Sequence, residues 1–191
     1  MKTRQEALAL LHDWVKSESL RRHCLAVASA MEAYAKKNNL SEEEVDLWWI
    51  TGLLHDFDWE KYPTLEQHPI EGCKKLRELE YDDSIIEAIL GHNKATGIKR
   101  YSLMAKTLFA VDELSGLIVA LAKVRPGNFE RMNAESVKKS LKKKDFAAAI
   151  SREDIYNGME ELEIDSVEKI SEHLELVVNA LAGIKRDLEF S

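Results

Sequence analysis

Apolar side chains recur at steps of three and four residues along most of this chain, and short polar segments separate the runs. Ser41-Glu42-Glu43-Glu44 has the spacing of a capping box, in which a serine oxygen and a glutamate three residues later satisfy the first free amides of a helix. Asp82-Asp83-Ser84, Ser102 and Ser151 precede further runs and are good N-cap residues. Helix-breaking glycine (8) and proline (3) are scarce among the 191 residues. The pattern predicts an all-α bundle of about eight to nine helices.

The last predicted helix, which begins near Asp165, is long and amphipathic. Its apolar residues form one narrow stripe, which consists of Val167, Ile170, Leu174, Val177, Leu181, Ile184 and Leu188. A stripe of this kind is either a seam within the chain or the contact of a homodimer formed through residues 165–188. His173 lies off the stripe, and we expect it at the surface.

Length and composition restrict the class of protein. A chain of 191 residues that is 45% apolar can bury one substantial core, so we expect a single helical domain over residues 1–191. The net charge of −7 argues against a nucleic-acid polymer as the partner. No apolar run approaches the roughly 20 residues that a membrane span needs, so we expect no membrane partner.

The cysteines and the N-terminus predict a cytoplasmic protein. Cys24 and Cys73 are the only cysteines, which suits a reducing compartment, and we expect both to be small core residues. The first residues, MKTRQEALALLHDW, show neither the apolar segment nor the cleavage site of a signal peptide, so we expect no export signal.

A His-Asp pair, His55-Asp56, stands at the end of the apolar run Leu47–Leu54 and therefore at the predicted C-terminus of a helix. Imidazole nitrogen and carboxylate oxygen are ligands that divalent transition metals accept, and a carboxylate can bridge two ions. The dipeptide alone is weak evidence, because His12-Asp13 is a second example. The surroundings of His55-Asp56 nevertheless favour a metal site.

Four further residues extend this hypothesis. His92 ends another predicted helix, His68 precedes a helix that starts at Pro69, and His23 shares a helix face with apolar residues. Each histidine on its own is more often a structural residue than a ligand. Asp112 is harder to explain as structural, since a carboxylate on an otherwise apolar helix face is costly unless it is paired, hydrogen-bonded or bound to a cation.

Considered together, the candidates follow one order along the chain: His23, His55-Asp56, His68, His92 and Asp112. This order resembles the HD-domain superfamily of metal-dependent phosphohydrolases, over roughly residues 20–125, with residues 130–191 as a C-terminal helical extension. The resemblance implies that His23, His55, Asp56 and Asp112 hold one metal ion. It also implies that Asp56 bridges to a second ion, which is held by His68 and His92. One or two divalent transition metal ions are therefore expected, chosen from Fe, Mn, Ni, Co and Zn, with Mg as a further option.

The resemblance implies hydrolysis of a small phosphate ester or nucleotide by a metal-activated water. Asp58 is a candidate for orienting a ligand histidine or accepting a proton, as is Glu60, although both are equally well explained as solvated loop acids. For binding the substrate anion we expect Lys94 first, then Arg125 and Lys61.

Two alternatives stay open within the resemblance. A diiron oxygenase branch of the superfamily uses the same six-ligand layout, and a metal-binding interaction module without turnover would also keep it. The chain departs from the HDIG subgroup, because Phe57-Asp58 follows the pair where that subgroup has Ile-Gly.

A lysine-rich segment contains Lys138, Lys139, Lys142, Lys143 and Lys144. It is best explained as a solvated face, and less well as a lid over a phosphate.

Overall fold

The computed structural model describes residues 2–189, and within this range the chain is helical without any β-strand. The prediction of an all-α chain is thus confirmed. None of the described helices combines the length and apolar character that a bilayer span requires. The helices are α1 (Arg4–Trp14), α2 (Glu18–Lys37), α3 (Glu42–Leu54), α4 (Ile70–Glu78), α5 (Asp83–His92), α6 (Leu103–Val124), α7 (Ala134–Leu141), α8 (Arg152–Glu161) and α9 (Val167–Gly183), with a short 3-10 turn at Lys94–Thr96.

Side-chain caps explain where several of these helices begin. The Ser41 hydroxyl accepts a hydrogen bond from the Glu44 amide, and the Glu44 carboxylate accepts one from the Ser41 amide, so the predicted capping box is present. Thr3 and Glu6 form a second box before α1. Ser102 and Ser151 cap α6 and α8, as their positions in the sequence indicate. These local bonds fix the helix starts independently of the core.

Two close helix contacts set the arrangement around the central helices α2 and α6. A side chain added at Gly52 of α3 would lie 2.8 Å from the Ala28 Cα of α2. A side chain added at Gly158 of α8 would lie 2.5 Å from the Ala110 Cα of α6. Real Cβ atoms do not approach a backbone so closely, so glycine at both positions lets the helix backbones pack at short range. Buried side chains from α1 to α9 join in one continuous core, which includes Cys24 and Cys73 as expected.

Helix α9 packs against α2, α6 and α7. The middle of its apolar stripe is buried within the chain, with Leu174, Val177 and Leu181 fully inaccessible, whereas Val167 at its start is 69% exposed. The stripe is therefore largely an intrachain seam. A homodimer through residues 165–188 stays a prediction.

The expected surface position of His173 is wrong. His173 is fully buried, and its Nδ1 lies within hydrogen-bonding distance of the Tyr34 hydroxyl of α2. Burial, together with the nearby charge of Lys37, lowers the pKa of His173 to about 4, so the ring is neutral at physiological pH. The neutral ring fits beside the apolar stripe because it adds no charge to the core.

This burial predicts a pH-dependent stability. A histidine whose pKa is lower in the folded than in the unfolded state contributes to the unfolding free energy. This contribution is complete above pH 6.5 and is lost as the pH falls toward 4. On going from pH 7.5 to pH 4.5, the unfolding free energy of the wild-type chain should therefore fall by about 2 kcal/mol more than that of His173→Asn. Urea titrations at both pH values measure this difference. His12→Asn, which removes an exposed histidine, is the control, and equal losses in wild type and His173→Asn would contradict the assignment.

Candidate metal centre

The ends of three helices position most of the candidate ligands. His55 is the C-cap of α3, Asp56 follows it in a turn, and His92 is the last residue of α5. His68 immediately precedes Pro69, the N-cap of α4. His23 and Asp112 come instead from within α2 and α6, the two central helices. The packing of these helices brings all six side chains to one place.

Three of the six side chains form a first trio, made of His23, His55 and Asp112. The His23 Nε2 lies 3.2 Å from the His55 Nε2 and 3.0 Å from an Asp112 oxygen. The His55 Nε2 lies 3.4 Å from the same Asp112 oxygen. These three atoms form a nearly equilateral triangle.

The other three form a second trio, made of Asp56, His68 and His92. The Asp56 Oδ1 lies 3.2 Å from the His68 Nε2 and 3.4 Å from the His92 Nε2, and the two nitrogens are 3.2 Å apart. The sides of this triangle differ from those of the first by at most 0.2 Å.

Asp56 connects the trios. While its Oδ1 belongs to the second trio, its Oδ2 lies 3.4 Å from the His55 Nε2 and 3.7 Å from the His23 Nε2 of the first. The two oxygens of one carboxylate therefore face the two groups. This is the arrangement that a bridging ligand requires.

Hydrogen bonds at the opposite ring nitrogens fix the tautomers of three histidines. The Nδ1–H of His55 donates to the Gly52 carbonyl at 2.8 Å, and that of His92 donates to the Ile89 carbonyl at 2.5 Å. The Nδ1–H of His68 donates to the Asp58 carboxylate at 2.7 Å. Carbonyl and carboxylate oxygens only accept, so in the neutral rings all three Nε2 atoms present lone pairs to the trios.

The trios fit divalent metal ions. Ligand atoms about 2.1 Å from an ion lie about 3.0 Å apart at octahedral angles and about 3.4 Å apart at tetrahedral angles. The six distances within the trios run from 3.0 to 3.4 Å. Lone pairs that face each other at this separation repel unless a cation lies between them. Both trios could therefore hold a metal ion of the kind that accepts nitrogen and oxygen ligands.

The electrostatics of the site point in the same direction. Burial alone would lower the pKa of His55, but Asp56 and Asp112 outweigh it, and the pKa lies well above the ordinary value. In the same way, Asp56 and Asp58 raise the pKa of His68 to about 9 against its burial. Burial would raise the pKa of Asp56, yet the facing histidines hold it well below its usual range. The site thus favours positive charge among its ligands, which protons supply in the absence of a metal.

Asp58 is fully buried and both of its oxygens have partners. Its Oδ1 accepts from the His68 Nδ1, and its Oδ2 accepts from the Gly72 amide at 2.8 Å. A side chain at Gly72 would lie 2.6 Å from the Asp58 Cγ, so glycine there makes room for the carboxylate. Of the two roles expected for Asp58, the structure places it to orient a ligand histidine. It is not among the residues that line the cavity over the trios.

Of the three cations expected to bind substrate, only Lys94 lines that cavity, where it pairs with Asp154. Arg125 caps the end of α6, thirteen residues after Asp112, and a helical rise of 1.5 Å per residue carries it about 20 Å away. Its guanidinium is directed toward Ser136 instead. Lys61 lies 3.7 Å from the centre of the Trp14 ring, on the side of α1. The structure does not bring Arg125 or Lys61 to the cavity.

Glu60 also lies outside the site. Its carboxylate accepts hydrogen bonds from the Lys16 and Ser17 amides at 2.8 and 2.7 Å, and it therefore braces the start of α2. Of the two explanations for Glu60, the exposed loop acid agrees with the structure, because the turn after Asp56 directs its side chain toward the α1–α2 connection and away from the ligand histidines.

A cavity of about 510 Å³ opens over the trios. Its wall contains residues that sequence reasoning missed, namely Trp59, Leu65, Asn93, Phe109, Glu113, Ile150 and Asp154. Burial and the neighbouring Asp112 raise the pKa of Glu113 to about 7. Glu113 adjoins Asp112 in the sequence, and Asn93 lies between His92 and Lys94, so adjacency to predicted site residues is a local signal for both. Ile150 and Asp154 come from the segment around the start of α8, far along the chain from the metal ligands.

Comparison with known proteins agrees with this geometry. A family model described as HD domain matches residues 20–117, about half of the chain, and this range contains all six residues of the trios. No curated protein and no solved structure matches the chain.

The role of Gly72 gives a test of the second trio. In Gly72→Ala, the new methyl group should displace Asp58 and release the His68 ring, and the affinity of the second trio for metal should fall about 10- to 100-fold. Mn²⁺ titration followed by calorimetry measures both sites in one experiment, and the first trio should bind as in wild type. Gly183→Ala, where a methyl group meets nothing within 4 Å, is the control. Unchanged affinity at both sites would contradict the positioning role of Asp58.

Proposed function

The chain belongs to the HD domain family, and from this premise we propose that it is a metal-dependent phosphohydrolase that acts on a small phosphate ester or nucleotide. The observation that supports the proposal most directly is the pair of ligand trios joined by Asp56. Paired divalent ions about 3.5–4 Å apart suit phosphoryl transfer, because they can bind both the attacking and the leaving oxygen.

The proposed ligands are His23, His55 and Asp112 for one ion and His68 and His92 for the other, with Asp56 between them. When bound there, the ions would lower the pKa of a coordinated water and neutralise the charge of the phosphoryl oxygens. No side-chain nucleophile is needed for this chemistry.

The remaining residues have binding and positioning roles in the proposal. Asp58 holds the His68 ring in the orientation that directs Nε2 toward the trio. Lys94 binds the substrate anion from the rim of the cavity, where its side chain is 43% exposed. Its ammonium pairs with Asp154 and, at 3.7 Å, with Glu153. An incoming phosphate would compete with these carboxylates for the ammonium.

The cavity wall suggests a substrate with an apolar or aromatic portion. Trp59 is 37% exposed and packs edge-on against His68, with ring centres 4.9 Å apart. Phe109, Leu65 and Ile150 add further apolar surface around the trios. A flat ring system carried by a phosphate ester could pack against this wall while the phosphate faces the trios.

The activity itself is testable. The purified protein loaded with Mn²⁺, Fe²⁺, Co²⁺ or Ni²⁺ should release inorganic phosphate from members of a panel of phosphomonoesters and nucleotides. Asp56→Ala should bring the rate below detection, because it removes one member of the second trio and the bridging oxygen that faces the first. Asp13→Ala is the matched control, since Asp13 belongs to the other His-Asp pair and is exposed on α1. Equal rates in Asp56→Ala and wild type would contradict the mechanism.

Metal content is a second test, and it also addresses the oxygenase alternative. Elemental analysis of gently purified wild-type protein should find about two transition metal ions per chain, and Asp56→Ala should retain fewer. Two irons combined with O₂ consumption and no phosphate release would favour an oxygenase. Two ions without any turnover would favour a metal-binding interaction module.

A further inference from the structure

The stretch that follows α5 has an unusual charge balance for this protein. Residues 88–111 contain no aspartate or glutamate, although the chain average of 34 acids in 191 residues would place about four in a stretch of that length. The same stretch contains four bases, which are Lys94, Lys99, Arg100 and Lys106. In a chain with a net charge of −7, this is a local region of positive charge.

The fold gathers these bases around one shallow groove of about 490 Å³. Arg100 donates from its Nε to the Glu161 carboxylate at 2.8 Å, so its charge is partly neutralised. Lys99 is exposed and Lys106 half-buried, and neither makes an ion pair with any residue in the range 2–189. Tyr101 is 77% exposed at the same groove. The groove therefore offers two uncompensated ammonium groups and an open aromatic ring.

This groove, which we call the basic groove, adjoins the cavity over the trios. Lys94 lines both, and its Nζ lies 5.8 Å from the centre of the Phe109 ring, which belongs to the cavity wall. The Arg100 guanidinium packs on the same ring at 3.8 Å. Arg100 also donates to the Gly91 carbonyl, next to the ligand candidate His92. A small molecule could therefore extend from the trios past Lys94 into the basic groove.

The charges of the two compartments differ in a way that favours two separate anions. Apart from its ligand histidines, the cavity presents Asp56, Asp112, Glu113 and Asp154 against Lys94 as its single cation among the described lining residues. An anion there depends on bound metal ions. In the basic groove, ammonium and guanidinium groups outnumber the single acid Glu161, so an anion can bind without metal.

We propose that the basic groove is a second phosphoryl-binding site. The substrate then carries two phosphate groups, of which the reacting one faces the trios and the other binds in the basic groove. The inference rests on the proposed function for the role of the trios. It adds a substrate class, namely small molecules with two separated phosphate groups. Lys99 and Lys106 determine the preference for the second group, and Lys94 lies between the two anions.

Non-hydrolysable probes test this without turnover. Methylene-, propylene- and pentylene-bisphosphonate are compared with propylphosphonate for binding to the Mn²⁺-loaded protein by calorimetry. At least one bisphosphonate should bind about tenfold or more tightly than propylphosphonate, because charge-assisted contacts of this kind are worth at least one decade of affinity. In Lys99→Gln/Lys106→Gln this advantage should fall at least about fivefold.

Lys142→Gln/Lys143→Gln is the matched control, since it removes the same charge from exposed positions after α7 and should leave the advantage unchanged. Lys99→Gln alone, at an exposed position, gives a variant whose folding is not at risk and should show an intermediate loss. The proposal is overturned if no bisphosphonate exceeds propylphosphonate, or if the advantage survives in the double variant. If the double variant loses the bisphosphonate advantage but the wild-type protein hydrolyses no phosphate ester, the basic groove is retained and the phosphohydrolase assignment is rejected. If the wild-type protein hydrolyses phosphate esters but binds no bisphosphonate more tightly than propylphosphonate, the assignment is retained and the basic groove is rejected as a phosphoryl site.

Discussion

The Asp56 carboxylate is the one group whose two oxygens face both ligand trios. Its two oxygens face nitrogens of different histidines, at 3.2 Å on one side and 3.4 Å on the other. Because His55, His68 and His92 are buried and present Nε2 toward their neighbours, the arrangement is stable only with positive charge inside each triangle. Protons satisfy this requirement in the metal-free protein, and two divalent ions would satisfy it with better geometry. Metal binding would therefore release protons from the site.

Helix packing and ligand orientation depend on the same residues. Gly52 allows α3 to contact α2 closely at Ala28, five residues after His23, and its carbonyl fixes the His55 tautomer. Gly72 likewise makes room for Asp58, which fixes the tautomer of His68. Neither glycine has a side chain that could bind a metal. Their effect on the site comes through the backbone and through the space that they leave.

Much of the architecture follows from local sequence. The caps at Ser41 and Ser102 predict the helix starts that the structure shows, because a cap bond involves only neighbouring residues. The six ligand candidates were recognisable by residue type and order, and the structure brings them into two triangles. His173 was misplaced because its burial depends on how α9 packs against Tyr34 of α2, which no local pattern encodes. Ile150 and Asp154 reach the cavity from the segment around the start of α8 for the same reason. Predicting such contacts requires the tertiary arrangement.

Anomalous diffraction from crystals of the Mn²⁺-loaded protein would locate the metal ions directly. We expect two anomalous peaks about 3.5–4 Å apart, on either side of the Asp56 carboxylate. One peak should contact His23, His55 and Asp112, and the other His68 and His92. A single peak, or peaks away from Asp56, would contradict the central claim that one carboxylate joins two metal sites.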